Sequence, residues 1–285
     1  MTSPNAIEPF RIAACPNYVP QNDEEVVFRV AHASRIPVIL KGPTGCGKTR
    51  FVEHMAWNLG LPLVTVACHE DLTAADLVGR FLFKNDQTVW QDGPLTLAVR
   101  HGGICYLDEI VEARKDTTVI IHSLTDDRRI LYVDKTGEVI AAHEDFMMVL
   151  SYNPGYQSIV KDLKHSTKQR FASINFTHPT EAIEARIIHT ESGLDEADSR
   201  TLAEMGAKIR QLKGFGLDEG VSSRLLVYVG RLVRGGLSPL QATRHAISQT
   251  LTDEPEVLES IQDIAKLYFG DLMDDDADDD GQPDA

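Results

Sequence analysis

The segment Gly42-Pro43-Thr44-Gly45-Cys46-Gly47-Lys48-Thr49 constrains this chain more than any other feature. A glycine, four residues and then Gly-Lys-Thr is the pattern of a phosphate-binding loop, but only between a strand and a helix. Its flanks read that way. Val38-Ile39-Leu40 is a short buried strand, and Phe51, Val52, Met55, Ala56 and Leu59 recur at helical spacing up to Gly60. Glycines let backbone N–H groups turn inward around phosphate oxygens, and the helix N-terminus adds the positive end of its dipole. Lys48 would then reach the β- and γ-phosphates, and Thr49 would offer its hydroxyl to Mg2+. The expectation is a chain that binds ATP with Mg2+.

A second segment complements the first. Gly102-Gly103-Ile104-Cys105-Tyr106-Leu107-Asp108-Glu109 reads as a buried strand ending in two carboxylates. Beside a phosphate-binding loop, Asp108 can hold Mg2+ through its water shell and Glu109 can orient an attacking water. Alone, an Asp-Glu pair at a strand end is commonly just solvated. A phosphotransferase must exclude water, so the Glu argues for hydrolysis over a small-molecule kinase. A nucleotide-gated binding module with negligible turnover is a further alternative. Met147–Leu150 is an apolar strand that delivers Asn153, whose amide suits the γ-phosphate or the water; a turn-former before Pro154 accounts for it equally. Arg170 precedes a fifth strand after a basic stretch from Lys161, where a surface ion pair is the ordinary reading.

The organisation follows from periodicity. Asn22–Arg35 reads as a helix with Val26, Val27, Val30 and Ala31 on its apolar face. The remaining strands are Leu63–Ala67, Ile104–Leu107, Phe146–Leu150 and Phe171–Phe176. Short apolar strands separated by helices predict an α/β fold with a five-stranded parallel sheet. After Pro179 only helices are expected: Ala182–His189, Asp195–Gln211, Ser222–Gly235, Pro239–Leu251 and Pro255–Phe269. This places an α/β nucleotide-binding domain at 1–179, a small all-helical domain at 180–270 and an acidic tail at 271–285. Two hairpins interrupt the first domain, at about 79–93 and about 128–142. Phe81, Phe83 and Trp90 flank the turn of the first, where they either contact a partner or pack beneath the hairpin.

Charge narrows the partners. The chain has 28 Lys+Arg and 43 Asp+Glu, a net −15. The tail from Asp271 holds eight of the acidic residues and no basic one, leaving 28 basic against 35 acidic side chains in residues 1–270. Nucleic-acid binding by bulk charge is disfavoured. The tail reads as a solvated, disordered segment, with contact to a basic partner surface as the alternative. Cys15, Cys46, Cys68 and Cys105 show no CxxC spacing, which argues against disulfides and zinc. No apolar run reaches membrane-spanning length and Met1–Phe10 lacks a secretory pattern, so a cytoplasmic location is expected.

With the glycine loop, the Asp-Glu pair, the strand-end Asn and the pre-strand Arg in this order, the chain resembles an AAA+ ATPase. Gly79-Arg80-Phe81-Leu82-Phe83 through Trp90-Gln91-Asp92-Gly93-Pro94-Leu95 is similar to the helix-two insert of the MoxR group. Leu124-Thr125-Asp126-Asp127-Arg128-Arg129 and Ser151-Tyr152-Asn153-Pro154-Gly155-Tyr156-Gln157 resemble its CbbQ/NorQ/NirQ branch, as do Leu40–Trp57, Val64–Gly79 and Asp108–Asp116. The resemblance spans roughly residues 15–270. It implies an AAA+ core followed by a helical lid, with residues 42–49 as Walker A and Asp108 and Glu109 as Walker B. It further implies Asn153 as the sensor asparagine, Arg170 as an arginine finger acting in trans and Arg224 as a second sensor; without it, Arg224 is a helix-face arginine. Hexameric rings and a partner with a von Willebrand factor A domain are implied as well. So is a metalloenzyme client: Rubisco for the CbbQ type, which the resemblance favours, or nitric oxide reductase for the NorQ and NirQ types.

Overall fold

The computed structural model describes residues 4–154, 163–214, 217 and 219–270, and divides the chain after Thr177 into two compact units. The acidic tail, Gly155-Tyr156-Gln157 and Lys161 lie outside the described residues. The first unit contains α1 (Glu24–Ala33), β1 (Val38–Lys41), α2 (Lys48–Leu59), β2 (Leu63–Ala67) and α3 (Ala74–Val78). These are followed by β3 (Gly79–Lys84), β4 (Gln87–Asp92), α4 (Pro94–His101), β5 (Ile104–Asp108) and α5 (Lys115–Ile120). It closes with β6 (Ile130–Val133), β7 (Glu138–Ala141), β8 (Met147–Tyr152), α6 (His165–Lys168) and β9 (Ala172–Asn175).

Five of these strands form one parallel sheet in the order β2-β5-β8-β1-β9. Helices on both sides bury it, which is why β5 and β8 read as continuous apolar runs. The two-residue period of a strand still sorts their side chains. Cys105 and Leu107 feed one core layer, whereas Ile104 and Tyr106 feed the other. β3–β4 and β6–β7 stand apart as antiparallel hairpins. The first turns on Asn85 and Asp86, both at positive φ (50° and 60°), the two-residue loop whose twist matches its strands.

The predicted apolar face of α1 needs correction. Val27 and Ala31 do pack inward, but Val26 and Val30 are 63% and 60% exposed, and Glu24 and Phe28 are buried in their place. Phe28 dictates the rotation: its ring meets Phe51 of α2 edge-on, with centroids 5.4 Å apart. A fully buried aromatic removes more area from water than any single valine could at that position.

The second unit is helical: α7 (Glu181–Ser192), α8 (Glu196–Arg210), α9 (Ser223–Arg234), α10 (Pro239–Thr243), α11 (Gln249–Leu251) and α12 (Pro255–Phe269). A π-helical turn at Arg244–Ser248 joins α10 to α11. Ile188, Leu202, Ile209, Leu226, Ile247 and Ile261 share its core. Ser222 caps α9 by accepting the Leu225 N–H, which starts that helix one residue before Arg224.

Candidate nucleotide site

The carboxyl ends of β1, β5 and β8 are neighbours in the sheet, and they bring the loop, the carboxylates and the asparagine together. The loop begins in a tight place. The Gly42 N–H donates to the Tyr152 carbonyl, and a Cβ on Gly42 would lie 2.5 Å from the Phe176 carbonyl oxygen. Only glycine fits there. At the other end Gly47 has φ +101°, so the chain enters α2 through a conformation that side chains rarely adopt. Between them, Pro43-Thr44-Gly45-Cys46 lead from β1 to the N-terminus of α2, where helix N–H groups lack intrahelical partners.

Lys48 is almost fully buried, and its Nζ donates to the carbonyls of Gly42 and Pro43 at 2.8 and 3.0 Å. The ammonium is thus held against its own loop, within reach of whatever the loop encloses. Thr49, one residue on, lies with Oγ1 3.4 Å from Asp108 Oδ2. A hydroxyl and a carboxylate are hard oxygen donors that suit Mg2+, a cation that keeps much of its water shell. No group of three His, Cys, Asp or Glu able to hold a metal occurs among the described residues.

Asp108 is surrounded by hydroxyls. Tyr106 OH donates to its Oδ1 at 2.7 Å, and Ser151 Oγ donates to the same oxygen. Ser151 also accepts the Glu109 N–H at 3.1 Å. Glu109 itself sits in the left-handed region, φ 52° and ψ 50°. For a residue with a side chain that is a strained conformation, of a kind that recurs at active sites. Burial raises the Glu109 carboxyl above its ordinary pKa, helped by the Asp108 charge and opposed by Lys48 and by the Asn153 backbone N–H. A carboxylate so placed is a stronger base than an exposed one. Asn153 is buried, and its Nδ2 donates to Thr44 Oγ1 at 3.4 Å across the mouth of the loop.

The other expected site residues stand on other elements. Arg170 precedes β9, at the amino edge of the parallel sheet, whereas the loop leaves its carboxyl edge. Ala172 pairs with Val38 and Asn175 with Lys41, so at least ~10 Å of strand separates the two edges. Arg224 is exposed on the first turn of α9 in the second unit. Of the three hairpin aromatics, Phe81 and Phe83 are 48% and 74% exposed. Trp90 instead packs against the core, and its Nε1 donates to Asp92 Oδ1 at 2.7 Å. Cys46, Cys68 and Cys105 are buried and only Cys15 is exposed. Burial pushes the Cys68 thiol up to about 12, with the Asp108 and Glu109 charges adding to it. Among the described residues no helix is long and apolar enough to cross a membrane.

Sequence reasoning passed over Tyr106 and Ser151. A signal was available, since each stands two residues before a singled-out side chain and so shares its strand face. It also passed over Glu184, fully enclosed in the second unit, where Arg210 donates to both its oxygens at 2.6 and 2.7 Å and Ser223 to one.

Comparison with known proteins agrees with the fold. Residues 37–171 match the AAA domain (dynein-related subfamily), and residues 184–268 match the CbbQ/NirQ/NorQ C-terminal family. Protein CbbQ of Hydrogenophilus thermoluteolus is 58% identical over 254 residues, covering 89% of this chain and 95% of that protein. Protein NorQ of Paracoccus denitrificans is 58% identical over 255 residues, covering 90% and 94%. Denitrification regulatory protein NirQ of Pseudomonas aeruginosa is 52% identical over 255 residues, covering 90% and 98%. Among solved structures, a proline-to-glycine variant of Thermotoga maritima RuvB superimposes with a TM-score of 0.54 at 13% identity, covering 89% and 73%, a likeness of fold alone.

Proposed function

The chain belongs to the CbbQ/NorQ/NirQ branch of the MoxR-type AAA+ ATPases, and from that premise we propose that it spends ATP hydrolysis on remodelling a metalloenzyme client. The client we infer is Rubisco, freed of inhibitory sugar phosphates together with a von Willebrand factor A domain partner. One observation carries the hydrolytic part: the Asp108–Glu109 pair ends β5 with Asp108 Oδ2 3.4 Å from Thr49 Oγ1 of the loop helix. The equal 58% identity to protein NorQ supports a second client, nitric oxide reductase.

In this reading the loop backbone from Gly42 to Gly47 receives the phosphates. Lys48 exchanges its two carbonyl acceptors for β- and γ-phosphate oxygens. Thr49 and Asp108 would hold Mg2+, which when bound neutralises charge on the phosphate oxygens. Glu109 takes the proton of the attacking water, and Asn153 fixes that water or the γ-phosphate from β8. Arg170 precedes β9 at the sheet edge opposite its own loop, which suits an arginine finger offered to the next subunit of a hexameric ring. Arg224 would sense the γ-phosphate from the helical domain, and Phe81 and Phe83 would touch the client or partner.

The decisive experiment is a Glu109→Gln trap. Phosphate release should fall by about a hundredfold or more while ATP binding persists; unchanged turnover would remove Glu109 from the role. Loaded with ATP and passed over a lysate, the same variant should retain Rubisco and a von Willebrand partner. Retention of nitric oxide reductase would move the client to the second reading.

A further inference from the structure

Asp108 receives three hydroxyl groups, from Thr49, Tyr106 and Ser151, and the last two lie within the expected motifs without a role of their own in them. Tyr106 and Asp108 are two apart on β5, so both side chains leave the sheet on the same face. The Tyr106 ring is fully buried in the layer beneath α2, and only its hydroxyl reaches polar company: Asp108 Oδ1 at 2.7 Å and Thr49 Oγ1 at 3.5 Å. Ser151 comes from β8, whose Leu150 pairs with Leu107, which brings the serine beside the end of β5. Its one hydroxyl works in two directions, donating to Asp108 and accepting the N–H of Glu109.

We propose that Tyr106 and Ser151 are positioning residues for the metal–nucleotide site. Both hydroxyls hold the Oδ1 side of the Asp108 carboxylate and leave Oδ2 turned toward Thr49. Ser151 also pins the strained backbone from which Glu109 is aimed. A carboxylate anchored on one oxygen keeps the other in a single orientation, and groups behind a metal ligand control affinity in this way. The inference rests on reading Thr49 as a ligand of the metal and Asp108 as holding it through its water shell, and it divides the labour: Tyr106 serves the metal alone, whereas Ser151 serves metal and base together.

Mn2+ and ADP are the probes, and the full-length chain is the protein. Free Mn2+ is followed by electron paramagnetic resonance in the presence of ADP. Tyr106→Phe, which keeps the buried ring, should weaken Mn2+ binding about tenfold, with metal-free ADP affinity held within about twofold. The Mg2+ concentration for half-maximal turnover should rise in parallel. Ser151→Ala should weaken Mn2+ binding and also lower kcat at saturating Mg2+, and Ser151→Thr, which restores a hydroxyl, should recover both. Wild-type Mn2+ affinity in Tyr106→Phe would overturn its role, as an unaltered kcat in Ser151→Ala would overturn that of the serine. If Tyr106→Phe does not fold, the Ser151→Ala and Ser151→Thr pair decides alone. Failure of the wild type to bind Mn2+ with ADP would instead overturn the reading of the site itself, so the two failures are distinguishable.

Discussion

Arg170 and Asp126 form an ion pair at 3.4 Å on the amino-edge side of the sheet, and the same Arg170 guanidinium donates to the His122 carbonyl at 2.6 Å. Asp126 is shared, for Arg128 Nη2 donates to the same oxygen, Oδ2, at 2.6 Å. Arg170 is thus held from behind by its own chain with about a third of its side chain exposed (32%). A finger working on a neighbour requires that combination of restraint and exposure. Arg170→Ala should lose turnover while still binding nucleotide. Mixed with Lys48→Ala, it should regain part of that turnover, because a mixed ring of the proposed kind would contain sites with one good loop and one good finger. Phosphate release from the mixture, against either variant alone, is the measurement; absence of complementation would return Arg170 to its own subunit.

The Glu184–Arg210 pair is buried, at 0% and 14% side-chain exposure, and Ser223 shares the carboxylate. Removing one partner strands the other charge. Arg210→Met should therefore cost about 3–5 kcal/mol of stability. The double change Glu184→Leu with Arg210→Met should recover most of the loss, because two apolar side chains carry no desolvation penalty. Urea unfolding of the three proteins tests this, and a double variant no more stable than the single would contradict it.

Glu24 gives a pH dependence. Its burial alone would raise the carboxyl, but the Tyr18 hydroxyl and the N–H groups of Gln21 and Asn22 outweigh it, so the folded pKa lies below the ordinary value. A lowered carboxylate contributes stability above the unfolded pKa and loses it as pH falls through the folded one. Wild type should exceed Glu24→Gln in Tm at pH 7, and the gap should close as the pH drops below about 4. A gap that widens in acid would reverse the sign of the shift.

The first hairpin separates packing from contact. Trp90→Ala removes a ring set against the core and its bond to Asp92, and should cost about 2 kcal/mol. Phe83→Ala touches a side chain 74% exposed and should stay within about 0.5 kcal/mol. Client-stimulated turnover should nonetheless fall in Phe83→Ala. Thermal melts paired with turnover in the presence of client test both statements.

Much of the site was legible because its signals are local. The glycines of residues 42–47 are demanded by a close backbone approach at Gly42 and a positive φ at Gly47, and both demands act over a few residues. Asp108 and Asn153 could be read as strand ends because apolar runs stop there. Ser151 could not be matched to Asp108, 43 residues away, since nothing local says that β8 lies next to β5. The apolar face of α1 was misjudged for a related reason. Counting valines weighs positions equally, whereas the pocket beside Phe51 selects one large ring.

The sequence alone determines an α/β fold that carries a glycine-loop pattern and a strand-end carboxylate pair, followed by helices. Those properties depend on period, glycine placement and the order of motifs along one strand of text. The tertiary structure alone decided that three hydroxyls converge on Asp108, that Arg170 stands at the edge opposite its own loop, and that Glu184 is sealed in with Arg210. Each joins residues brought together by sheet order or helix packing, a choice made by the burial of the whole core and not by any segment within it.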